Sequence, residues 1–156
     1  MNINFKSASF ILSFTFIAAI SFVYIFIATA IEPYWQTLDG FEIQQWFVDH
    51  FGRFATLMVP VHFASIISII TAFILHRNDP TKRLWLVALI TLLICQFFNF
   101  VVYGGNFNVA LSSGTLDPAV ALDTLDQWGF YHIIRTVSVC ISMVTLGIIF
   151  MRTMRD

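Results

Sequence analysis

Four long apolar stretches constrain this chain more than any other feature. They run through Ala8–Ile31, Phe54–Leu75, Leu84–Tyr103 and Trp128–Met151, and Arg135 is the only Asp, Glu, Lys or Arg inside them. Each reaches the roughly 20 residues that cross the hydrocarbon core of a bilayer. The whole chain is only 11% charged, against about 25% in a soluble domain. The sequence therefore predicts an all-α fold, an integral membrane four-helix bundle that forms one domain over residues 1–156 and has the lipid bilayer as its solvent.

The cations alternate with the spans in a way that predicts orientation. If there are four spans, most cations lie on one side of the membrane: Lys6, the basic turn 76–83, and Arg152 and Arg155 at the C-terminus. The connections on the other side, 32–53 and 104–127, are acidic apart from one arginine. The positive-inside rule then predicts an up-down-up-down bundle with both termini in the cytoplasm, in a bacterial inner membrane. The net charge of −1 offers no basic surface for nucleic acid.

The connections carry local signals of their own. In the first, Pro33 is expected to end the first helix, and Phe41–Phe51 to form a short helix on the bilayer surface. The segment Gly104–Gln127 has the Gly, Ser and Asp-Pro content of a loop. Pro60 is expected to kink the second span. Ala28-Thr29-Ala30 resembles a signal-peptidase site, but the apolar run before it is longer than the usual 7–15 residues, which favours a retained helix.

The start of the fourth span holds the densest polar stripe. Trp128, Tyr131, His132 and Arg135 stand at i, i+3, i+4 and i+7, which places them on one face of a helix. An arginine in lipid costs roughly 2.5–3.5 kcal/mol, so Arg135 should face protein, a cavity or an anionic group. A salt bridge to Asp123 or Asp126 is the structural alternative to a functional role.

Two other spans carry polar side chains at a similar depth. The second has His62, and the third has Gln96, Asn99 and Tyr103 at i, i+3 and i+7. Polar groups in hydrocarbon are costly unless they are paired, which predicts one shared interior pocket with Asn106 and Asn108 as its roof. His62, His132 and Arg135 are the candidate catalytic residues. The candidate substrate-binding residues are Trp128, Tyr131, Gln96, Asn99, Tyr103 and Asn106; the alternative for the amides is helix packing.

An internal echo links the two halves. Trp46-x-x-x-His50-x-x-Arg53 before the second span has the same spacing as Trp128-x-x-x-His132-x-x-Arg135. A duplicated helical hairpin would produce this echo. The alternative is chance recurrence of residue types that favour membrane interfaces.

These features resemble a known family. The chain resembles the small four-helix membrane family that includes anthrone oxygenases. The similar motifs are Trp128, His132 and Arg135-Thr136 in the last span, Met58-x-Pro60 in the second span, and an Asn at 106 or 108. Many bacterial members of that family have no assigned function. The resemblance implies oxidation of an activated phenolic carbon by dioxygen without an obvious cofactor. The long first connection with its Trp-His-Arg set has no counterpart in it.

Three functions are compatible with this pattern. The first is a membrane oxygenase-like oxidoreductase for a small lipophilic or aromatic substrate, in which His132 or His62 removes a proton and Arg135 stabilises the anion. The second is an electron-transfer protein with haem or copper held by His62 and His132, or by His50 and His132. The third is a non-enzymatic accessory subunit or small transporter. A homo-oligomer or a partner membrane subunit is compatible with each.

Overall fold

The computed structural model describes residues 5–104 and 107–154, with the backbone alone at 103 and 104. The described part consists of helices without any strand. The helices are α1 (Phe5–Phe26), a π-helical turn (Ile27–Ile31), α2 (Glu32–Trp35), α3 (Gly40–Leu75), α4 (Lys82–Gly104), α5 (Phe107–Ser112) and α6 (Pro118–Thr153). Four helical segments are long and apolar enough to cross a membrane, namely α1 with its continuation to Trp35, α3, α4 and α6. For the described residues, the prediction of an all-helical chain with four helices long and apolar enough to cross a membrane is confirmed.

Two of these helices are much longer than the predicted spans. Both α3 and α6 have 36 residues, or about 54 Å at about 1.5 Å per residue, whereas the hydrocarbon core is about 30 Å thick. The prediction of a separate surface helix at Phe41–Phe51 is wrong, because those residues are the first turns of α3. Most of the predicted loop Gly104–Gln127 is also helical, as α5 and the start of α6. Helix α3 also continues through Pro60.

Capping residues explain where the long helices begin. The Asp39 side chain accepts hydrogen bonds from the backbone N–H groups of Phe41 and Glu42, and Glu42 accepts one from the backbone of Asp39, which forms a capping box at the start of α3. At the start of α6, Asp117 accepts from the backbone N–H of Ala119. These local signals favour helix initiation well before the apolar spans.

The extended ends of α3 and α6 pack together as part of a structure that we call the cap, made of α2, residues 40–53 of α3, α5 and residues 118–127 of α6. Gly40 lies against the backbone of Pro118, so closely that a Cβ at Gly40 would stand 2.6 Å from the Pro118 carbonyl carbon. Gln44 bridges the same two segments, since its amide donates to the Leu116 carbonyl at 3.0 Å and accepts from the Leu116 N–H at 2.7 Å. The buried apolar residues centred on the cap are Ile27, Trp35, Ile43, Phe47, Val102, Leu111, Ala121, Leu125 and Trp128.

A second apolar cluster fills the remainder of the bundle. Its buried side chains come from α1, α3, α4 and α6, and the largest is Trp85. At the end of the bundle away from the cap, Phe10 of α1 contacts both Trp85 at the start of α4 and Phe150 near the end of α6. The Lys6 ammonium also reaches the carboxylate of Asp79 in the turn after α3, at 2.7 Å.

Candidate functional site

A cavity of about 420 Å³ lies between α1, α3, α4 and α6, at and below the cap. This volume falls in the range of small-molecule sites, about 300–1,000 Å³. Most of its lining is aliphatic or aromatic. The polar residues that line it are Tyr24, His62, Gln96, Asn99, Asn108 and Arg135. Phe63 and Phe100 also line it and are 63% and 73% exposed, so the cavity is open to the protein surface at the side where they lie.

Arg135 is held by neutral groups. Its Nε donates to His132 Nδ1 at 2.9 Å, and its Nη1 donates to Asn99 Oδ1 at 3.0 Å. The guanidinium carbon stands 4.7 Å from the centre of the Tyr24 ring and 4.9 Å from that of Trp128, which are cation–π distances. The ion pairs of the described residues both involve Asp79, so Arg135 makes no salt bridge there, and the carboxylate of Glu32 attracts the guanidinium only from a longer distance. The predicted alternative of a salt bridge from Arg135 to Asp123 or Asp126 is wrong.

Both ring nitrogens of His132 are occupied. Nε2 lies 3.0 Å from the backbone carbonyl of Tyr24, which can only accept, so Nε2 carries the hydrogen. Nδ1 then accepts from Arg135. The ring is 0% exposed and stacks on Trp128 at 4.7 Å. This bonding makes His132 a positioning residue for Arg135, since neither a proton nor a metal can reach a free lone pair on it.

His62 is bonded differently. Asn99 Oδ1 accepts a hydrogen bond from Arg135 and lies 2.9 Å from the Tyr24 hydroxyl. Because this amide oxygen can only accept, the Tyr24 hydroxyl donates its hydrogen to Asn99. The 3.1 Å contact between the Tyr24 oxygen and His62 Nε2 then requires the imidazole to donate. His62 Nδ1 is left with a lone pair and has no hydrogen-bond partner in the described part of the chain. His62 thus lines the cavity with a ring whose Nδ1 has a lone pair but is enclosed by neighbouring atoms.

The structure brings together most of the residues that the sequence singled out. His62, Gln96, Asn99, Trp128 and Arg135 line one cavity. Gln96 contacts the hydroxyl of Ser65 at 3.4 Å. Tyr131 does not line the cavity and packs instead among Phe98, Phe107 and Phe130. The Tyr103 side chain and Asn106 lie outside the described residues.

The predicted ligand pairs for haem or copper, His62 with His132 and His50 with His132, are not arranged to bind one metal ion together. The ring of Tyr24 contacts both His62 and His132, with centroids 5.8 and 5.3 Å away, and both ring nitrogens of His132 are already hydrogen-bonded. His50 is exposed, bonds the backbone carbonyl of Trp46 and does not line the cavity. Within residues 5–104 and 107–154, no three His, Cys, Asp or Glu side chains come together.

Sequence reasoning missed two residues of this site. Tyr24 bonds both His62 and Asn99 and lies beneath Arg135. A tyrosine several residues inside an uncharged span, rather than at its interface, was the available signal. Trp35 follows Pro33 in the predicted connection 32–53, yet its side chain is 3% exposed and lines the cavity.

Comparison of the chain with family models, with curated proteins and with solved structures finds no match. The resemblance to anthrone oxygenases therefore stays a prediction that depends on the quoted motifs.

Proposed function

We propose that this chain is an integral protein of a bacterial cytoplasmic membrane, an up-down-up-down bundle with both termini in the cytoplasm. Two contacts support the alternating direction. The Lys6–Asp79 ion pair joins the start of α1 to the turn between α3 and α4, and the Gly40–Pro118 contact joins the first residues of α3 and α6. The cations at positions 77, 82 and 83 occur at the Asp79 end of the bundle, which under the positive-inside rule faces the cytoplasm.

We further propose that the cavity is the active site of an oxygenase-like oxidoreductase for a small lipophilic substrate. One observation carries this proposal. Two residues that line the same apolar cavity are a buried arginine that makes no salt bridge and a histidine whose Nδ1 has no hydrogen-bond partner. A buried charge of this kind is costly, and an anion that forms in the cavity would be stabilised by it. The sideways opening at Phe63 and Phe100 suits a substrate that arrives from the bilayer.

Each residue then has a distinct role. When a bound substrate displaces the side chains that enclose it, His62 Nδ1 takes a proton from a methylene or hydroxyl group made acidic by an adjacent aromatic system. Arg135, held in place by His132 and Asn99, stabilises the resulting enolate or phenolate oxygen. Dioxygen from the bilayer then oxidises the electron-rich carbon. In the net reaction a CH₂ group and O₂ give a C=O group and water, so one oxygen atom enters the substrate and the four electrons lost by the carbon reduce O₂.

Anthrone is the probe that tests this proposal. Purified protein in detergent micelles is given anthrone in D₂O without oxygen, and exchange at the methylene group is followed by NMR. Oxygen uptake is then measured in air, and the protein-free rate is subtracted from both. His62→Gln keeps an N–H at the Nε2 position for Tyr24 and removes the basic nitrogen. We expect it to slow both reactions by roughly 10²–10⁴-fold, the usual contribution of a general base.

His50→Gln is the matched control. His50 stacks on Trp46 at i−4, as His132 stacks on Trp128, but it is exposed and lies outside the cavity. It should leave both rates unchanged. Equal rates for the His62→Gln variant and the wild-type protein would overturn the role of His62. A wild-type protein that accelerates neither exchange nor oxygen uptake would leave the chain without support as an oxygenase for this class of substrate.

A further inference from the structure

The guanidinium of Arg135 has more hydrogen-bond donors than its surroundings use. Of its five N–H groups, the one on Nε binds His132 and one on Nη1 binds Asn99. Nη2 makes no hydrogen bond within the described part of the chain. The Tyr24 hydroxyl oxygen lies nearby, but it already takes part in two hydrogen bonds. Nη2 is not among the unbonded nitrogens that neighbouring atoms enclose completely, so it is open to the cavity that Arg135 lines.

Two amides add further donors beside the guanidinium. Asn99 Oδ1 accepts from Arg135 and from the Tyr24 hydroxyl, and Asn108 Oδ1 accepts from the Trp128 indole at 2.8 Å. In both amides the oxygen is the bonded atom, and the Nδ2 group is neither bonded by a described residue nor enclosed completely. Both residues line the cavity. Its polar part therefore presents N–H groups from one charged and two neutral side chains.

The cavity carries one positive charge and no negative charge to balance it. Arg135 is the one Lys or Arg among the described residues that line the cavity, and no Asp or Glu is among them. The Glu32 carboxylate acts on the guanidinium only from a longer distance and makes no salt bridge with it. A buried charge without a partner is costly. The cavity is therefore suited to a ligand with a single negative charge, and the flat carboxylate is the monoanion whose two oxygens best match a guanidinium.

The opening at the side of the cavity lies close to the guanidinium. Phe63 of α3 and Phe100 of α4 are exposed and line the cavity. Phe100 directly follows Asn99, which bonds Arg135, and Phe63 directly follows His62. In the proposed membrane placement the surface between α3 and α4 faces the acyl chains of the bilayer. A single chain can therefore pass through the opening while its head group lies at Arg135.

From these observations we infer that the cavity binds the ionised carboxylate of a single-chain fatty acid taken from the bilayer. The donors available to the carboxylate are Arg135 Nη2 and the Nδ2 groups of Asn99 and Asn108. The acyl chain lies against the aliphatic and aromatic lining and leaves through the opening at the side. A volume of about 420 Å³ is near the lower end of small-molecule sites, which favours one chain over the two of a phospholipid. The inference goes beyond the proposed function, since it requires neither a base nor dioxygen.

Carbon NMR of dodecanoate labelled with carbon-13 at the carboxyl carbon tests the inference. The labelled acid is added in equimolar amount to the purified full chain in micelles. We expect a second carboxyl resonance, distinct from that of acid dissolved in the micelles, which keeps its ionised chemical shift while the pH is lowered until the micellar acid is protonated. Unlabelled dodecanoate should displace it. Dodecanol and methyl dodecanoate, which have the same chain without the charge, should not.

Three variants assign the resonance to the guanidinium. Asn99→Asp keeps the shape of the side chain and places a carboxylate on Arg135, at the position of the present 3.0 Å contact. Arg135→Gln removes the cation. Each should weaken dodecanoate binding roughly 10- to 100-fold, the effect of a hydrogen bond to a charged group. Arg53→Gln is the matched control, because Arg53 is exposed and does not line the cavity, and it should leave the resonance unchanged. Asn99→Asp adds an ion pair, so it decides the matter even if Arg135→Gln does not fold.

The outcomes separate this inference from the proposed function. The fatty-acid site is refuted if the wild type shows no second resonance, if dodecanol displaces it as well as dodecanoate does, or if it survives Asn99→Asp and Arg135→Gln. Its loss in Arg53→Gln would assign the binding to surface charge and refute the site as well. Accelerated anthrone exchange without bound dodecanoate would leave the proposed function standing and remove this inference. Bound dodecanoate without anthrone exchange would do the reverse.

Discussion

The contact between Gly40 and Pro118 offers the sharpest test of the architecture above the cavity. Ordinary carbon contacts begin near 3.4 Å, but a Cβ on Gly40 would stand 2.6 Å from the Pro118 carbonyl carbon and 2.7 Å from its Cα. Gly40→Ala must therefore separate two backbones by at least the 0.8 Å between 2.6 and 3.4 Å. Backbone atoms at two helix ends cannot rotate away as a long side chain can.

The expected cost combines two effects. Overpacking of this kind costs roughly 1–3 kcal/mol. The separation also strains the paired hydrogen bonds between Gln44 and Leu116, each of which contributes roughly 0.5–1.5 kcal/mol. Gly52→Ala is the matched control, because Gly52 lies in the same helix and a Cβ there meets no atom within 4 Å. Replacing a glycine inside a helix by alanine should stabilise by roughly 0.5–1 kcal/mol.

The two variants should therefore melt far apart. At about 2–4 °C per kcal/mol for a chain of this size, Gly40→Ala should unfold on the order of 10 °C below Gly52→Ala. The midpoint is measured in micelles with a thiol-reactive fluorophore, since Cys95 is fully buried and becomes accessible on unfolding. Equal midpoints for the two variants would refute the close contact between α3 and α6, and with it the cap as described.

Three further predictions follow from named contacts. Arg135→Gln should raise the free energy of unfolding by roughly 2 kcal/mol, because it removes a buried charge that makes no salt bridge. A loss of stability in the same thermal assay would contradict that reasoning. The hydrogen bond from the Lys6 ammonium holds the pKa of Asp79 below its ordinary value, so the stability that Asp79 contributes is present above about pH 4 and is lost as the pH falls further. The difference in melting midpoint between the wild type and Asp79→Asn should therefore shrink below about pH 4. A difference that stays constant with pH would contradict this prediction. Gly129→Ala would place a Cβ 2.5 Å from the flexible Oε1 end of Glu32, so it should cost less than about 1 kcal/mol, and a loss as large as that of Gly40→Ala would show that the Glu32 carboxylate is fixed.

The four long helices could be predicted from the sequence because the apolar run that produces each helix lies within its own span. Uncharged runs of about 20 residues can satisfy their backbone in a bilayer only as helices or closed barrels. The lengths of α3 and α6 exceed the predicted spans because these helices do not end where the apolar content ends. Asp39 and Glu42, which form the capping box, were present in the sequence, and they would have indicated that α3 begins 14 residues before Phe54.

The site could be predicted as a set of residues but not as a set of roles. Depth along each helix was enough to bring His62, Asn99 and Arg135 to one level, and all three line the cavity. The role of His132 depends on the carbonyl of Tyr24, 108 positions away in the chain, and no spacing within one helix contains that information. Trp35 is likewise in the site only because α3 and α6 bring Trp46 and Trp128 against it.

The two Trp-His-Arg segments show where local pattern ends and tertiary context begins. Their rings stack almost identically, at 4.8 Å and 16° for Trp46 with His50 and at 4.7 Å and 19° for Trp128 with His132. Spacing at i and i+4 on a helix is sufficient for that geometry, so the likeness does not by itself establish a duplication. His50 and Arg53 are nevertheless exposed, whereas His132 and Arg135 are buried. The same local pattern thus becomes a candidate catalytic element only where Tyr24 and Asn99, on two other helices, remove water from the guanidinium and leave its charge for a substrate.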